Sequence, residues 1–447
     1  MTRPADEPRK QIHLAAHFPG VNNTTVRDDP RPRPQIDFAS FEHLARTAER
    51  GLLDFFFLAE GERPREHQGR LHDLDVVGRP ESLTVLNALA AVTDRLGLAA
   101  TVDATFNEPY ETARRFATLD HLSGGRAAWN VVTSSSAFTG ENFRRGGHLD
   151  RADRYTRAAE FVDVARTLWD AGTERPFRHV GRHFTVEGDF SVPRPPQGHP
   201  VSIQAGGSAE GREFAASTAD VVLTRHGSLE AGQAFYADVK ARLAKYGREP
   251  DGLKIMSGVT VVLGDTAAEA QEKAAEIRRR QVSPQNAILA LEQVWGVDLS
   301  SYDPDGPLPD IDPVVDSGLS PGRTHRGDVL ALAEKWRGLS RAKGLSIRQT
   351  VIEASSRQSF VGTPDAVAAG LDRFVQGDAA DGFVLVPHLT PGGLDDFVDE
   401  VVPRLQERGV FRTAYEGTTL RSHLGLPPAS GAPTSGHPVA AGQGSGT

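Results

Sequence analysis

Leu122-Ser-Gly-Gly-Arg-Ala-Ala-Trp-Asn-Val-Val-Thr-Ser134 reads as a helix stop, a tight turn and a strand. The helix Glu108–His121 ends at Ser123-Gly124-Gly125, where glycine takes the left-handed conformation of a C-cap. Arg126 to Thr133 is then a short run of apolar and β-favouring residues, as in a strand buried on both faces. A Trp129-Asn130 pair inside such a strand is unusual. The Asn130 amide must find partners there, and the pattern leaves open whether protein backbone or a ligand supplies them.

The chain has 447 residues, no cysteine and a net charge of −9. That length suits one barrel-sized domain with insertions as readily as two or three smaller ones. Without cysteine there are no disulfides, thiolate metal sites or thiol nucleophiles. The acidic balance and the lack of a basic run argue against a nucleic-acid or anionic-membrane partner. No apolar run approaches the roughly 20 residues that span a bilayer. The polar start, Met1 to Lys10, lacks a signal-peptide core, so the expected location is cytoplasmic.

Working outward, strand and helix alternate. After a disordered lead over 1–9, expected strands fall at 11–18, 53–59, 96–102, 126–133, 201–204, 220–224, 254–263 and 381–386. Helices are expected at 37–50, 81–93, 108–121, 151–170, 208–218, 229–246 and 267–280, and the apolar stripe from Leu394 to Leu405 marks the last. Residues 177–199 suggest a hairpin excursion. Residues 281–362 break the alternation with helical pieces and no clear strand, as a lid-like insertion would. The Pro-, Gly-, Ser- and Ala-rich stretch 426–447 reads as a disordered tail. Eight buried strands each trailed by a helix predict a (β/α)8 barrel over 10–425. No GxGxxG opens a first helix and no GxxxxGK[ST] occurs, so Rossmann and P-loop readings lose support.

In a barrel the site lies where the strands end. His17, Glu60, Thr101, Asp103, Asn130, Thr133, Gln204 and Thr224 are expected around that mouth. Gln204-Ala-Gly-Gly-Ser-Ala-Glu-Gly-Arg212 runs from a strand end into a helix that Ser208 caps. Free N–H groups and the helix dipole there suit a phosphate, though a plain serine-capped glycine turn has the same sequence. His148 and Tyr155 face one side only if their helix starts early. His67, His72, His226, His325 and His388 fall in rim loops without metal-ligand spacing, so no metal is expected. There is no GxSxG elbow for a nucleophilic hydrolase. Paired rim carboxylates such as Glu60 and Asp103 leave glycoside cleavage open.

Several ordered motifs carry a resemblance. Thr105-Phe-Asn-Glu-Pro-Tyr110, Phe116-Ala-Thr-Leu-Asp-His-Leu-Ser-Gly-Gly-Arg126, Trp129-Asn-Val-Val-Thr-Ser134, Arg154-Tyr155 with Glu160-Phe161, Pro193-Arg-Pro-Pro-Gln-Gly198, Gln204-Ala-Gly-Gly-Ser208, Asp381-Gly-Phe383, Asp396-Phe-Val398, Val401-Val-Pro403 and Phe411-Arg-Thr-Ala-Tyr-Glu-Gly417 span about 10–426. Together they resemble the flavin-dependent monooxygenases of the bacterial-luciferase superfamily, in the nitrilotriacetate, dibenzothiophene-sulfone and pristinamycin branch. The resemblance implies a bacterial-luciferase-type barrel that takes FMN as FMNH2 from a separate NAD(P)H:flavin reductase. With O2 it would oxygenate a small organic substrate, often at a carbon next to nitrogen or sulfur, and work as a homodimer or homotetramer. It assigns Asn130 and Thr101 to the isoalloxazine edge, Gly207 and Ser208 to the phosphate, and Tyr155 and His148 to the ribityl-phosphate arm, with Ala205 also in the cofactor-binding set. Glu60 and Asp103 depart from the family, which has an aspartate and a serine there, and both stay in the flavin-binding set. The first loop, Val26-Arg-Asp-Asp-Pro30, lacks the family's tryptophan. His17 is the catalytic candidate, with a satisfied rim histidine as its alternative. A deazaflavin-dependent oxidoreductase and a flavin-binding protein without oxygenation are the other two readings.

Overall fold

The computed structural model describes residues 9–18, 25–26, 36–61, 66–68, 70–71, 80–134, 137–140, 142–143, 151–314, 329–355 and 359–429. Eight parallel strands close into a ring: β1 (His13–His17), β2 (Phe55–Leu58), β3 (Gly97–Asp103), β4 (Ala127–Val132), β5 (Val201–Ala205), β6 (Val221–Thr224), β7 (Lys254–Leu263) and β8 (Gly382–Leu385). Neighbours in sequence are neighbours in space, and β8 pairs back onto β1. Outside them run α1 (Phe38–Arg50), α2 (Ser82–Ala90), α3 (Pro109–Leu122), α4 (Arg151–Ala171), α5 (Ala209–Thr218), α6 (Leu229–Leu243) and α7 (Ala267–Gln281). This is the (β/α)8 barrel that the strand count predicts.

Local chemistry sets the helix ends. Asp37, Glu81, Ser208, Ser228 and Thr266 each accept a backbone N–H at the start of their helix, which satisfies donors that no helical carbonyl reaches. At the opening turn Gly124 and Gly125 have φ of 67° and 90°, as the helix-stop reading requires. Gly125 is doubly constrained. A Cβ there would stand 2.8 Å from Thr419 Cγ2, and its carbonyl accepts from Leu420 N.

Side chains alternate strictly between the two faces of each strand. Ala15, Phe55, Phe57, Ala99, Ala128, Val201, Ile203, Val221, Met256 and Val384 fill the inside of the ring. The residues next to them in sequence, among them Leu14, Phe56, Leu98, Trp129 and Phe383, pack outward against the helices.

The lower end of the ring is plugged by the chain that follows β8. Leu420 and Leu424, fully buried, and Leu426 complete the interior cluster. Arg421 pairs with Asp220 at 2.9 Å and Arg412 with Asp54 at 2.5 Å. Asp54 also accepts from Leu14 N at 2.8 Å. Burial alone would raise the Asp54 pKa, but Arg412 and His13 outweigh it and hold the carboxyl below its ordinary range. Leu426 and Ala429 are buried, so packed chain reaches past the expected tail boundary at 426.

Two further expectations need correction. The 281–362 segment does hold a strand, Ser359–Gly362, parallel to the upper half of β7 at Thr260–Leu263. The last helix is not one α-helix. It is a π-turn, Phe397–Val401, running into Val402–Glu407, and Pro403 accounts for it by removing an N–H from the ladder.

Between β7 and β8, α8 (Pro284–Trp295), α9 (Val329–Lys343) and α10 (Ile347–Ala354) build a core of their own around Trp295, Trp336, Ile347 and Val351. A buried pair joins it to the loop after β2: His67 Nε2 lies 2.6 Å from Glu292 Oε2. The 177–199 excursion contains the antiparallel hairpin Phe177–Val180 and Thr185–Gly188.

Replacing Arg412 by Met leaves Asp54 buried without its cation, so stability at neutral pH is expected to fall by about 3–5 kcal/mol. A carboxyl held low stabilises above its unfolded pKa and loses that contribution as pH falls through the folded pKa. The gap in melting temperature between wild type and variant should therefore shrink on acidification. A gap independent of pH would contradict this role for Asp54.

Candidate active site at the barrel mouth

The upper ends of the strands bring the predicted residues to one rim, but parity divides them. Thr101 on β3 and Asn130 on β4 share the inward face with Ala99 and Ala128 and are paired across the ladder. The Thr101 hydroxyl donates its single proton to Leu58 O at 2.8 Å. Its oxygen then accepts from Asn130 Nδ2 at 3.0 Å. This chain fixes the amide: the nitrogen end is used, and the buried Oδ1 has no partner among the described residues. A buried acceptor without a donor is what a ligand N–H satisfies.

β5 ends at Ala205 and turns through Gly206 and Gly207 into Ser208. The serine Oγ accepts from Gly211 N at 3.1 Å. A Cβ on Gly206 would meet the Gly211 backbone at 3.1 Å, whereas one on Gly207 would meet nothing within 4 Å. Tyr155 on α4 reaches this turn: its hydroxyl lies 3.4 Å from where a Gly211 Cβ would stand, and its ring packs edge-on against Phe214. The result is a tight backbone crossing beside an open helix N-terminus, with a phenol over it. Gly211, a residue of the quoted motif to which the sequence reading gave no role, is the second half of that crossing.

His17 ends β1 with its ring tilted against Phe57 at 5.2 Å. Asp103 is buried, and burial raises its pKa despite hydrogen bonds from Ser134 and the Thr105 and Phe106 N–H groups. Its carboxylate therefore shapes the turn after β3. Arg157 fastens the same turn from α4, donating to Thr105 O at 3.0 Å.

Three other residues expected at the rim are engaged away from the inward face. Glu60, one position past the inward Ala59, accepts from Ser82 N at 2.9 Å at the start of α2. Gln204 and Thr224 follow the inward Ile203 and Leu223 and so face outward; Thr224 Oγ1 lies 3.0 Å from His226 Nε2. His148 lies outside the described residues. Among the described residues no group of three His, Cys, Asp or Glu is placed to hold a metal, and no helix is long and apolar enough to cross a membrane.

Across the rim from Asn130, a cavity of about 740 Å³ opens between β7, α7 and the chain after β8, lined by Val261, Ile277, Val386, His388, Leu389 and Phe397 among others.

The fold and the motifs have counterparts. Residues 20–381 match the model of the luciferase-like monooxygenase family. Nitrilotriacetate monooxygenase component A of Aminobacter aminovorans is 42% identical over 426 residues, covering 89% of this chain and 91% of that protein. N-acetyl-S-(2-succino)cysteine monooxygenase of Bacillus subtilis is 39% identical over 442 residues, covering 94% and 97%. The crystal structure of a long-chain alkane monooxygenase superposes with a TM-score of 0.75 at 30% identity, covering 93% and 96%.

The glycine crossing gives a direct check. Gly206→Ala forces backbone apart and is expected to cost about 1–3 kcal/mol, while Gly207→Ala, with open space beside it, should unfold within about 0.5 kcal/mol of wild type in urea. Equal losses would mean the two backbones do not cross as described. The chain belongs to the luciferase-like monooxygenase family.

Proposed function

We propose that this monooxygenase is the oxygenating component of a two-component system, binding FMN in its reduced form and using O2 on a small organic substrate. The observation that supports it is the unpartnered Oδ1 of Asn130, held in one orientation by Thr101. A flavin ring edge carries an N–H flanked by carbonyls, and an acceptor with a fixed amide behind it suits that N–H. Gly207 and Ser208 would hold the phosphate at the start of α5, with Tyr155 beside them and Ala205 under the ribityl arm. His148, carried over from the resemblance, would join them.

Reduced flavin supplies the electrons and the oxygen-activating carbon. What this chain does is position and exclude. Asn130 and Thr101 orient the ring; Ser208 and the Gly206–Gly211 crossing anchor its tail. The α8–α10 insertion, tied to the β2 loop through His67 and Glu292, would keep water from the mouth. His17, on the inward face of β1, would move a proton near the ring. Glu60 and Asp103, engaged at the start of α2 and in the turn after β3, act on the site through those backbones.

A separate NAD(P)H:flavin reductase would supply FMNH2, the protein would act in the cytoplasm, and a homodimer or homotetramer would be its working form. The name of the Aminobacter relative, a component A, accords with a partnered system.

Equilibrium titration with reduced and oxidised FMN tests the reading. Wild type should prefer the reduced form. Asn130→Ala and Ser208→Ala should each weaken it by about tenfold, the value of one charge-assisted or buried hydrogen bond. Binding of neither flavin form, with capture of a reduced deazaflavin instead, would replace this proposal by the deazaflavin reading.

A further inference from the structure

Arg225 stands one residue beyond β6. Val221 and Leu223 point into the ring, so Arg225 continues their parity and enters the mouth. Its side chain leans toward β7, away from the Ser208 turn on β5: Cγ and Nε lie 3.7 Å from where a Gly258 Cβ would stand. The glycine leaves room for it. Arg225 is exposed to solvent, yet enough protein surrounds it for desolvation to lower its pKa, and no acid acts on it in return. No hydrogen bond or ion pair engages its guanidinium among the described residues. Other arginines of the structure are held: Arg126 by five backbone and hydroxyl oxygens, Arg412 by Asp54, Arg421 by Asp220, Arg248 by three carbonyls.

A guanidinium kept unpaired at the mouth of the barrel is a fork open to a planar oxyanion. We propose that Arg225 is a specificity residue that binds a carboxylate of the substrate, so that this enzyme acts on small organic acids. The flavin phosphate is the competing anion, but the side chain leans away from the turn that would hold it. The inference rests on the monooxygenase reading for the word substrate; the anion site itself does not need it.

The test uses the full chain, with and without FMN, and a matched pair of probes, succinate and succinamide, followed by calorimetric titration. Wild type is expected to bind succinate at least tenfold more tightly than succinamide. Arg225→Met should abolish that preference, Arg225→Lys should keep part of it, and both should keep the wild-type melting temperature and FMN affinity within about twofold. Equal binding of the two probes by wild type, or a preference that survives Arg225→Met, would overturn the proposal. So would a loss of FMN affinity in Arg225→Met with succinate binding unchanged, which would assign the guanidinium to the phosphate. If FMN fails to bind while Arg225-dependent succinate binding persists, the flavin reading falls and the acid site stands.

Discussion

A ring of parallel strands gives each residue two choices, inside or outside, and every other property of this molecule follows from how that alternation is filled. Ala15, Ala99 and Ala128 sit inside with Phe55, Phe57 and Met256, small against large, which is how side chains fill a closed ring of this size. The same alternation, carried one step higher, presents Thr101, Asn130 and His17 to the mouth. Carried one step lower, it meets the leucines of the plug. Core and site are thus one periodic pattern read at different heights.

Within the site, direction counts as much as position. A threonine hydroxyl has one proton, and Leu58 O takes it. What is left can only accept, so the asparagine must offer its nitrogen and turn its oxygen away. Two side chains and one carbonyl on three adjacent strands thereby set the polarity of a single atom. Amide orientation fixed by protein, rather than by ligand, is preorganisation: the cost of orienting the group is met in folding and is not drawn from binding.

Much of this was legible in the chain and the remainder has identifiable physical reasons for escaping. Buried strands bounded by glycine, proline and capping residues produce strong local signals, and Ser123-Gly124-Gly125 announced its turn from sequence alone. Facing was harder. At a strand end a slip of one residue reverses the side, so the sequence places Glu60, Gln204 and Thr224 at the strand ends without telling which way each one faces. Arg225 drew no attention because it stands just past the strand, where only the parity of Val221 and Leu223 gives it a direction. The strand Ser359–Gly362 is four residues long and exists by pairing with a β7 that overshoots the ring; nothing local marks such a partner. The π-turn at Phe397–Val401 arises from one proline acting on an otherwise regular apolar stripe. Gly211 was invisible for a different reason: its role is a close approach to Gly206, and contact between backbones leaves no trace in composition.

The plug beneath the ring also bears on how the chain is made. Synthesis runs from β1 toward β8, and a ring closes only when its first strand meets its last. Leu420 and Leu424 emerge later than every strand, and with them Arg412 and Arg421, the cations that neutralise Asp54 and Asp220. Until then the nascent polypeptide is an open sheet with an unpaired edge, a wet interior and two uncompensated acids. A ribosome can therefore release nearly the whole barrel before any of it is sealed from beneath, and the burden of shielding that edge falls on whatever meets the chain as it leaves the tunnel.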